Sequence, residues 1–234
     1  KAGPAVAPGS VATLRMRFPQ DVRLDEFTTV DMGCDMDRVL SLIHLFGSIG
    51  GRSRNGWGSI VITNLESLGL DPSGLVLPDL ANQPLSECLQ REFPHALGAD
   101  SQGPLLWRTR HGFDSAADAL DALAEVKIAF RTSLPLARGE DIAARHLLAY
   151  PITHHKVRAW GNQSRLANQI RFKVHPVNQE GRERFVAIAY HLPHGIPGVL
   201  LDKLRPDERR WIRDQQIEIW ESVHRELDSR MERW

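Results

Sequence analysis

Cysteine is scarce: 234 residues carry two, Cys34 and Cys88, too few and too far apart for a disulfide framework or a zinc cluster. That scarcity suits a reducing cytoplasm, which is the expected location. Net charge is missing as well. Lys plus Arg and Asp plus Glu number 29 each, so the whole chain has no electrostatic footprint for nucleic acid and any basic surface is local. No stretch approaches ~18 consecutive apolar residues, and no basic segment followed by an apolar one opens the chain, which disfavours a membrane span and a secretion signal. Internal repeats and extended low-complexity segments are also lacking. What remains is ordinary: 42% hydrophobic and 25% charged residues place the chain among soluble globular proteins, with the length of one domain or two small ones. The first residue is Lys1 rather than Met, and residues 1–10 read as an Ala/Pro/Gly linker or processed end. A fragment, a processed product or a piece of a longer protein is therefore expected.

Residues 11–18 alternate apolar and polar from Leu14 to Phe18 before Pro19, the pattern of a half-buried strand. Met36, Val39, Leu40, Ile43 and Phe46 follow helical spacing behind Asp35 and Asp37, predicting a helix over 35–46. A glycine-dense loop follows, then the β-branched run Ile60-Val61-Ile62-Thr63, predicted as a strand. Residues 64–113 hold scattered prolines and no sustained period, and read as an irregular insertion. Ser115 and Asp118 form a capping box ahead of a helix that ends before Pro135. Residues 170–174 and 185–190 flank Asn178-Gln179-Glu180-Gly181 as an antiparallel hairpin with a longer loop. Arg171 and Lys173 fall on the face opposite Ile170, Phe172 and Val174. Pro206 starts a final helix over 206–232 with the stripe Ile212, Ile219, Val223 and Leu227.

The loop Gly50-Gly51-Arg52-Ser53-Arg54-Asn55-Gly56-Trp57-Gly58-Ser59 fails two phosphate-binding tests. A Walker loop needs a Lys, and none is present. A dinucleotide loop leaves a strand and opens a helix, whereas here a helix enters and a strand leaves. The loop's resources are freed backbone N–H groups, two guanidinium forks and an indole face, which suit single-stranded nucleic acid. A plain Gly-rich turn with solvent-facing arginines is the alternative. Trp57 either stacks on a base or anchors the loop in the core.

This string, between an apolar helix and a strand, closely resembles the glycine-rich loop of the RAMP superfamily of CRISPR effector subunits. Residues 165–174 and His191-Leu192-Pro193 are similar to the C-terminal region of the head RAMP subunit of Cmr-type (type III-B) complexes. Together the two segments cover about residues 11–60 and 145–193 of the 234. The resemblance implies an α+β chain with a ferredoxin-like (RRM-like) β-α-β unit: a single RAMP-like domain over 11–234, carrying the insertion 64–113 and lacking an N-terminal half. It also implies an RNA-binding subunit of an antiviral defence complex, with guide RNA, target RNA and other effector subunits as partners and no membrane. Asn55 departs from the family's pattern, standing where a third basic residue is common.

A second basic stretch lies at 150–184, with seven Lys or Arg against two Glu. Within it Lys156, Arg158 and Arg165, with Trp160 interleaved, extend a possible RNA track from the loop. A solvated loop leading into the hairpin is the alternative. Some RAMP proteins cut RNA with histidine and without metal, so a guide-precursor endoribonuclease is the second reading, with His44, His154 and His155 as weak catalytic candidates. His154 and His155 are adjacent, so an extended chain points them to opposite sides. His191-x-x-His194 is interrupted by Pro193 and matches no zinc signature. No metal or cofactor is expected.

Overall fold

The structure is a computed structural model that describes residues 9–13, 15, 17, 19, 21–50, 53–63, 82–137 and 139–234. The chain is mixed α+β. Strand β1 (Asp21–Arg23) pairs antiparallel with β2 (Thr29–Asp31), and the Asp25 carboxylate ties their turn by accepting from Phe27 and Thr28 N–H at 2.8 and 2.7 Å. Helix α1 (Met32–Phe46) follows, then the glycine loop with one 3-10 turn at Ser53–Asn55. Strand β3 (Asn82–Pro84), helix α2 (Leu85–Cys88), β4 (Leu97–Asp100) and β5 (Gly103–Pro104) build a small three-stranded sheet. The remainder runs β6 (Leu106–Arg108), α3 (Ala116–Ser133), α4 (Ala144–Leu148), β7 (Ile170–Gln179), β8 (Arg182–His191), α5 (Gly198–Leu201), α6 (Pro206–Arg230) and β9 (Glu232–Arg233).

These last strands form the main sheet, in the order β7-β8-β6-β9, with every neighbouring pair antiparallel. Helices α3 and α4 lie between β6 and β7, helices α5 and α6 lie between β8 and β9, and α3 packs on α6 over one face. Ile170, Phe172, Val174, Ala187 and Ala189 face those helices, against Leu123 and Phe130 of α3 and Ile219, Trp220, Val223 and Leu227 of α6. On the other face Val177, Val186, Ile188 and Tyr190 pack with Phe46 at the end of α1. Both faces are thus covered, which is why Val186–Tyr190 is an unbroken apolar run rather than an alternating one.

Local chemistry explains several elements. Ser115 Oγ accepts from Asp118 N–H at 3.1 Å, capping α3. Pro206 occupies the first turn of α6, where its missing N–H costs nothing. Glu180 and Gly181, with φ of 54° and 76°, close the β7–β8 hairpin as a two-residue turn. The turn is tighter than the longer loop expected, because Asn178 and Gln179 pair with Glu183 and Arg182.

Other expectations are corrected. Ile60–Thr63 is no strand, because its backbone donors are used elsewhere: Ile60 N–H goes to Gly47 O at 3.1 Å and Ile62 N–H to His44 Nδ1 at 3.1 Å. The strand expected over 11–18 falls partly on residues 14, 16 and 18, outside the described residues; described positions 11–13, 15 and 17 are not in a strand. The β-α-β pattern expected over 11–63 is not formed among the described residues, where β1 and β2 both precede α1 and pair with each other. Of the expected insertion 64–113, residues 64–81 lie outside the described residues, while 82–113 hold β3 to β6, and β6 lies between β8 and β9 in the main sheet. The final helix ends at Arg230 rather than 232, because Glu232 and Arg233 return to pair with β6. Among the described residues no helix is long and apolar enough to cross a membrane.

Candidate nucleic-acid interface

The glycine loop hangs from the C-terminus of α1, where three of the last four carbonyls find partners. Gly47 N–H donates to Ile43 O at 2.7 Å, the Tyr190 hydroxyl to Phe46 O at 3.2 Å, and Lys173 Nζ to His44 O. Lys173 Nζ also donates to Gly47 O and Ile60 O, at 3.0 and 2.5 Å, binding both ends of the loop to β7. Lys173 is fully buried, and burial pushes its ammonium down to about 7. Ile49 N–H donates to Gly58 O at 2.9 Å, and Ser59 Oγ accepts the outward Val174 N–H of β7 at 3.0 Å. The loop therefore covers the edge of the main sheet.

Two glycines behave differently. A Cβ on Gly58, where φ is 69°, would lie 1.9 Å from Ile49 O, while one on Gly50, φ 102°, would meet nothing within 4 Å. Both Ala variants meet backbone strain of about 1–2 kcal/mol and Gly58→Ala the clash with Ile49 O besides, so Gly58→Ala is expected to lower the melting temperature further than Gly50→Ala. Parallel thermal melts check the order, and equal melts would show that Gly58's close approach is not needed.

Asn55 is not idle: its Oδ1 accepts from Lys127 Nζ of α3 at 2.7 Å, which brings a cation to the loop from elsewhere in the chain. Gly51 and Arg52 lie outside the described residues. Gly50 is exposed, Ser53 is half-buried with its carbonyl accepting from Ser48 Oγ, and Gly56 is buried against Leu120, Leu123 and Phe172. Arg54 is exposed, and Trp57 is 55% exposed, so its ring is not core.

Beside the loop stand Arg171 of β7 and His194, three residues beyond β8. Burial pushes the Arg171 guanidinium and the His194 imidazole below their ordinary values; Arg54 adds to the effect on both, and Arg171 to that on His194. No carboxylate pairs with these three among the described residues. His194 Nδ1 lies 2.8 Å from Gly195 O, and the Gln169 side chain brackets the His194 peptide, bonding its N–H and its carbonyl at 2.9 Å each. In the sequence His194 stands out only for a spacing that matches no zinc signature, and no local pattern marks Gln169 or Lys127. The Asn55 departure was the one available hint of a partner for the loop.

The second basic stretch is occupied by other contacts. Lys156 and Arg158 pair with Glu140 at 2.9 and 3.3 Å, and Arg165 donates to Asn162 O and Ser164 O. Trp160 is buried, its indole N–H on Leu200 O at 3.0 Å, so it offers no stacking face. His44 is buried, its Nδ1 accepting from Ile62 N–H and its ring edge-on to His175 at 4.6 Å. His154 is exposed and His155 half-buried. The structure brings none of these three to Arg54 and Arg171, the position held by His194. No protein-family model matches the chain, and neither a curated protein nor a solved structure matches it.

Proposed function

We propose that this chain is an RNA-binding subunit of a type III CRISPR effector complex, holding guide RNA or the guide–target duplex by backbone contacts from its glycine-rich loop. The observation that carries the reading is that Arg54 and Trp57 stand exposed on a loop whose backbone is anchored to α1 and β7. A cation and an indole presented on a preorganised loop are what phosphate contact and sequence-tolerant stacking need. The RAMP resemblance of residues 50–59 supports it. So does the main sheet: β6-α3-α4-β7-β8-α5-α6-β9, with strands arranged β7-β8-β6-β9 and all neighbours antiparallel, is compatible with a ferredoxin-like unit. Recognition by backbone and shape suits a subunit that must accept any guide sequence.

The test is binding of a labelled single-stranded RNA of about 20 nucleotides at two salt concentrations. Arg54→Ala/Trp57→Ala is expected to weaken binding by about tenfold or more, and to flatten the salt dependence by roughly one counterion. The wild-type reaction, run on a denaturing gel, is expected to leave the RNA intact. Equal affinity of the two proteins would overturn the loop as the contact surface, and cleaved RNA would replace this reading with an endoribonuclease.

A further inference from the structure

We propose that Arg171 and His194, with Arg54 at the rim, form a recessed seat for the terminal phosphate monoester of an RNA chain. This deepens the RNA-binding reading and rests on it for the identity of the chain that carries the phosphate.

The seat is built rather than incidental. His194 is 5% exposed, and its peptide is held at both polar ends by Gln169. Gln169 in turn meets His191 Nε2 at 3.4 Å, and His191 Nδ1 meets His224 Nε2 at 2.9 Å, so the position is braced through to α6. With His194 Nδ1 donating to Gly195 O, the ring's Nε2 is left without a protein partner among the described residues. Arg171 Nε is buried and has no hydrogen-bond partner among the described residues. Buried donors are almost always satisfied, so an orphan one on a guanidinium points to an acceptor that the described residues do not supply. Among the described residues the charged neighbour acting on both is Arg54, a cation, and the Tyr190 hydroxyl near Arg171 is pushed up by burial and stays neutral.

The required ligand therefore carries several acceptor oxygens and negative charge. A phosphate monoester has three terminal oxygens and carries about two charges near neutral pH, whereas an internal diester carries one. The steric case points the same way. A ring as buried as His194 is reached by a group that enters end-on. An internal diester continues into chain on both sides and lies across exposed Arg54 and Trp57 instead. In the seat, Arg171 offers a planar fork to two oxygens, and His194 Nε2, once protonated by the arriving dianion's field, donates to the third.

The experiment compares RNAs of one sequence carrying a 5′-phosphate, a 3′-phosphate or hydroxyls at both ends, bound to wild type, Arg171→Gln, Arg171→Lys and Trp57→Ala. Wild type is expected to prefer one phosphorylated end over the hydroxyl RNA by about tenfold, a charge-assisted contact's worth. Arg171→Gln brings that ratio to near one, and Arg171→Lys, which keeps the charge but loses the fork, leaves it partial. Trp57→Ala lowers affinity for all three RNAs together while the ratio stays, which separates the loop from the seat. Equal binding of all three RNAs by wild type, or a ratio that survives Arg171→Gln in a protein that melts like wild type, overturns the seat and leaves the loop reading standing. If no RNA binds, the loop reading fails. The seat is then judged with inorganic phosphate followed by the His194 ring resonances: a shift that is lost in Arg171→Gln supports it, and no shift overturns it.

Discussion

Lys173→Met is expected to destabilise the protein by about 3 kcal/mol or more and to abolish the RNA binding proposed for the glycine loop, although residue 173 is fully buried. Methionine keeps roughly the length and the apolar stem, so the change isolates the ammonium. Lys173 Nζ donates to the carbonyls of Ile43, His44, Gly47 and Ile60. Two of these belong to the last turn of α1, where the helix leaves its carbonyls unpaired and its dipole favours a cation. The other two open and close the loop. Burial lowers the Lys173 ammonium to about 7; the ammonium offers three N–H groups to this all-acceptor cage and the amine two, so the attachment weakens as pH rises through that value. Without it several buried carbonyls lose their donor, at about 1–3 kcal/mol for each that finds no water. The damage is directional. Ile170, Phe172 and Val174 face α3 and α6, so that layer is expected to keep its helical signal while α1 and the loop become protease-sensitive. Urea denaturation and limited proteolysis check both parts. A variant that melts with wild type and resists cleavage between residues 46 and 60 would show that the cage is dispensable.

The same residue shows how far the sequence carries. Alternation along β7 places Lys173 opposite Phe172, and the structure agrees about the face. Nothing local reveals that α1 and the glycine loop, more than a hundred positions earlier, cover that face and make Lys173 an internal brace. Elements with their own punctuation were readable: Ser115 before α3, Pro206 at α6 and Gly181 in the hairpin all act within a few residues. Strand β6 was not, because Leu105, Leu106 and Trp107 are all buried and show no alternation. Strand β9 is two residues long and exists only by pairing with β6. The site divides in the same way. The glycine string marked its loop, but whether Trp57 or Trp160 met solvent depended on long-range packing. The acid that occupies Lys156 and Arg158 is Glu140, on the preceding segment. His194 acquires its neighbours only because the hairpin register and the Gln169 clamp bring it beside Arg171.

Acid is expected to unfold the protein well before its carboxylates protonate, because four histidines are held neutral in the core. His146, His175, His191 and His224 are all buried. Burial is the leading cause in each: His146 and His224 are brought from an ordinary 6.5 to about 4 and His175 to about 3, while His191 lies well below its ordinary value. Charged neighbours add to it, His155 beside His146, His44 and Lys173 beside His175, and Arg233 beside His224, where Asp100 and Asp228 act in the opposite direction. His191 and His224 share one hydrogen bond of 2.9 Å, in which one ring donates and the other accepts, so a second proton breaks it and sets two cations together. The sign follows. Each native value lies below the unfolded one, so between pH 6.5 and about 4 the unfolded chain binds more protons and stability rises with pH. The contribution is complete above about 6.5 and disappears as pH falls through the native values, on the order of 3 kcal/mol for each of His146 and His224. Carboxylates enter lower: Asp228, held by Arg233 and by the Trp107 indole against the opposing effect of its own burial, sits below its ordinary 3.8. Denaturant titrations from about pH 7 to about pH 4.5 are thus expected to show the midpoint falling steadily. His191→Phe/His224→Leu removes both partners of one bond together, which costs little where neither is left unpaired, and is expected to flatten the pH dependence. A midpoint that holds constant to pH 4.5, or a slope unchanged in the double variant, would mean that these rings take up protons inside the fold without penalty.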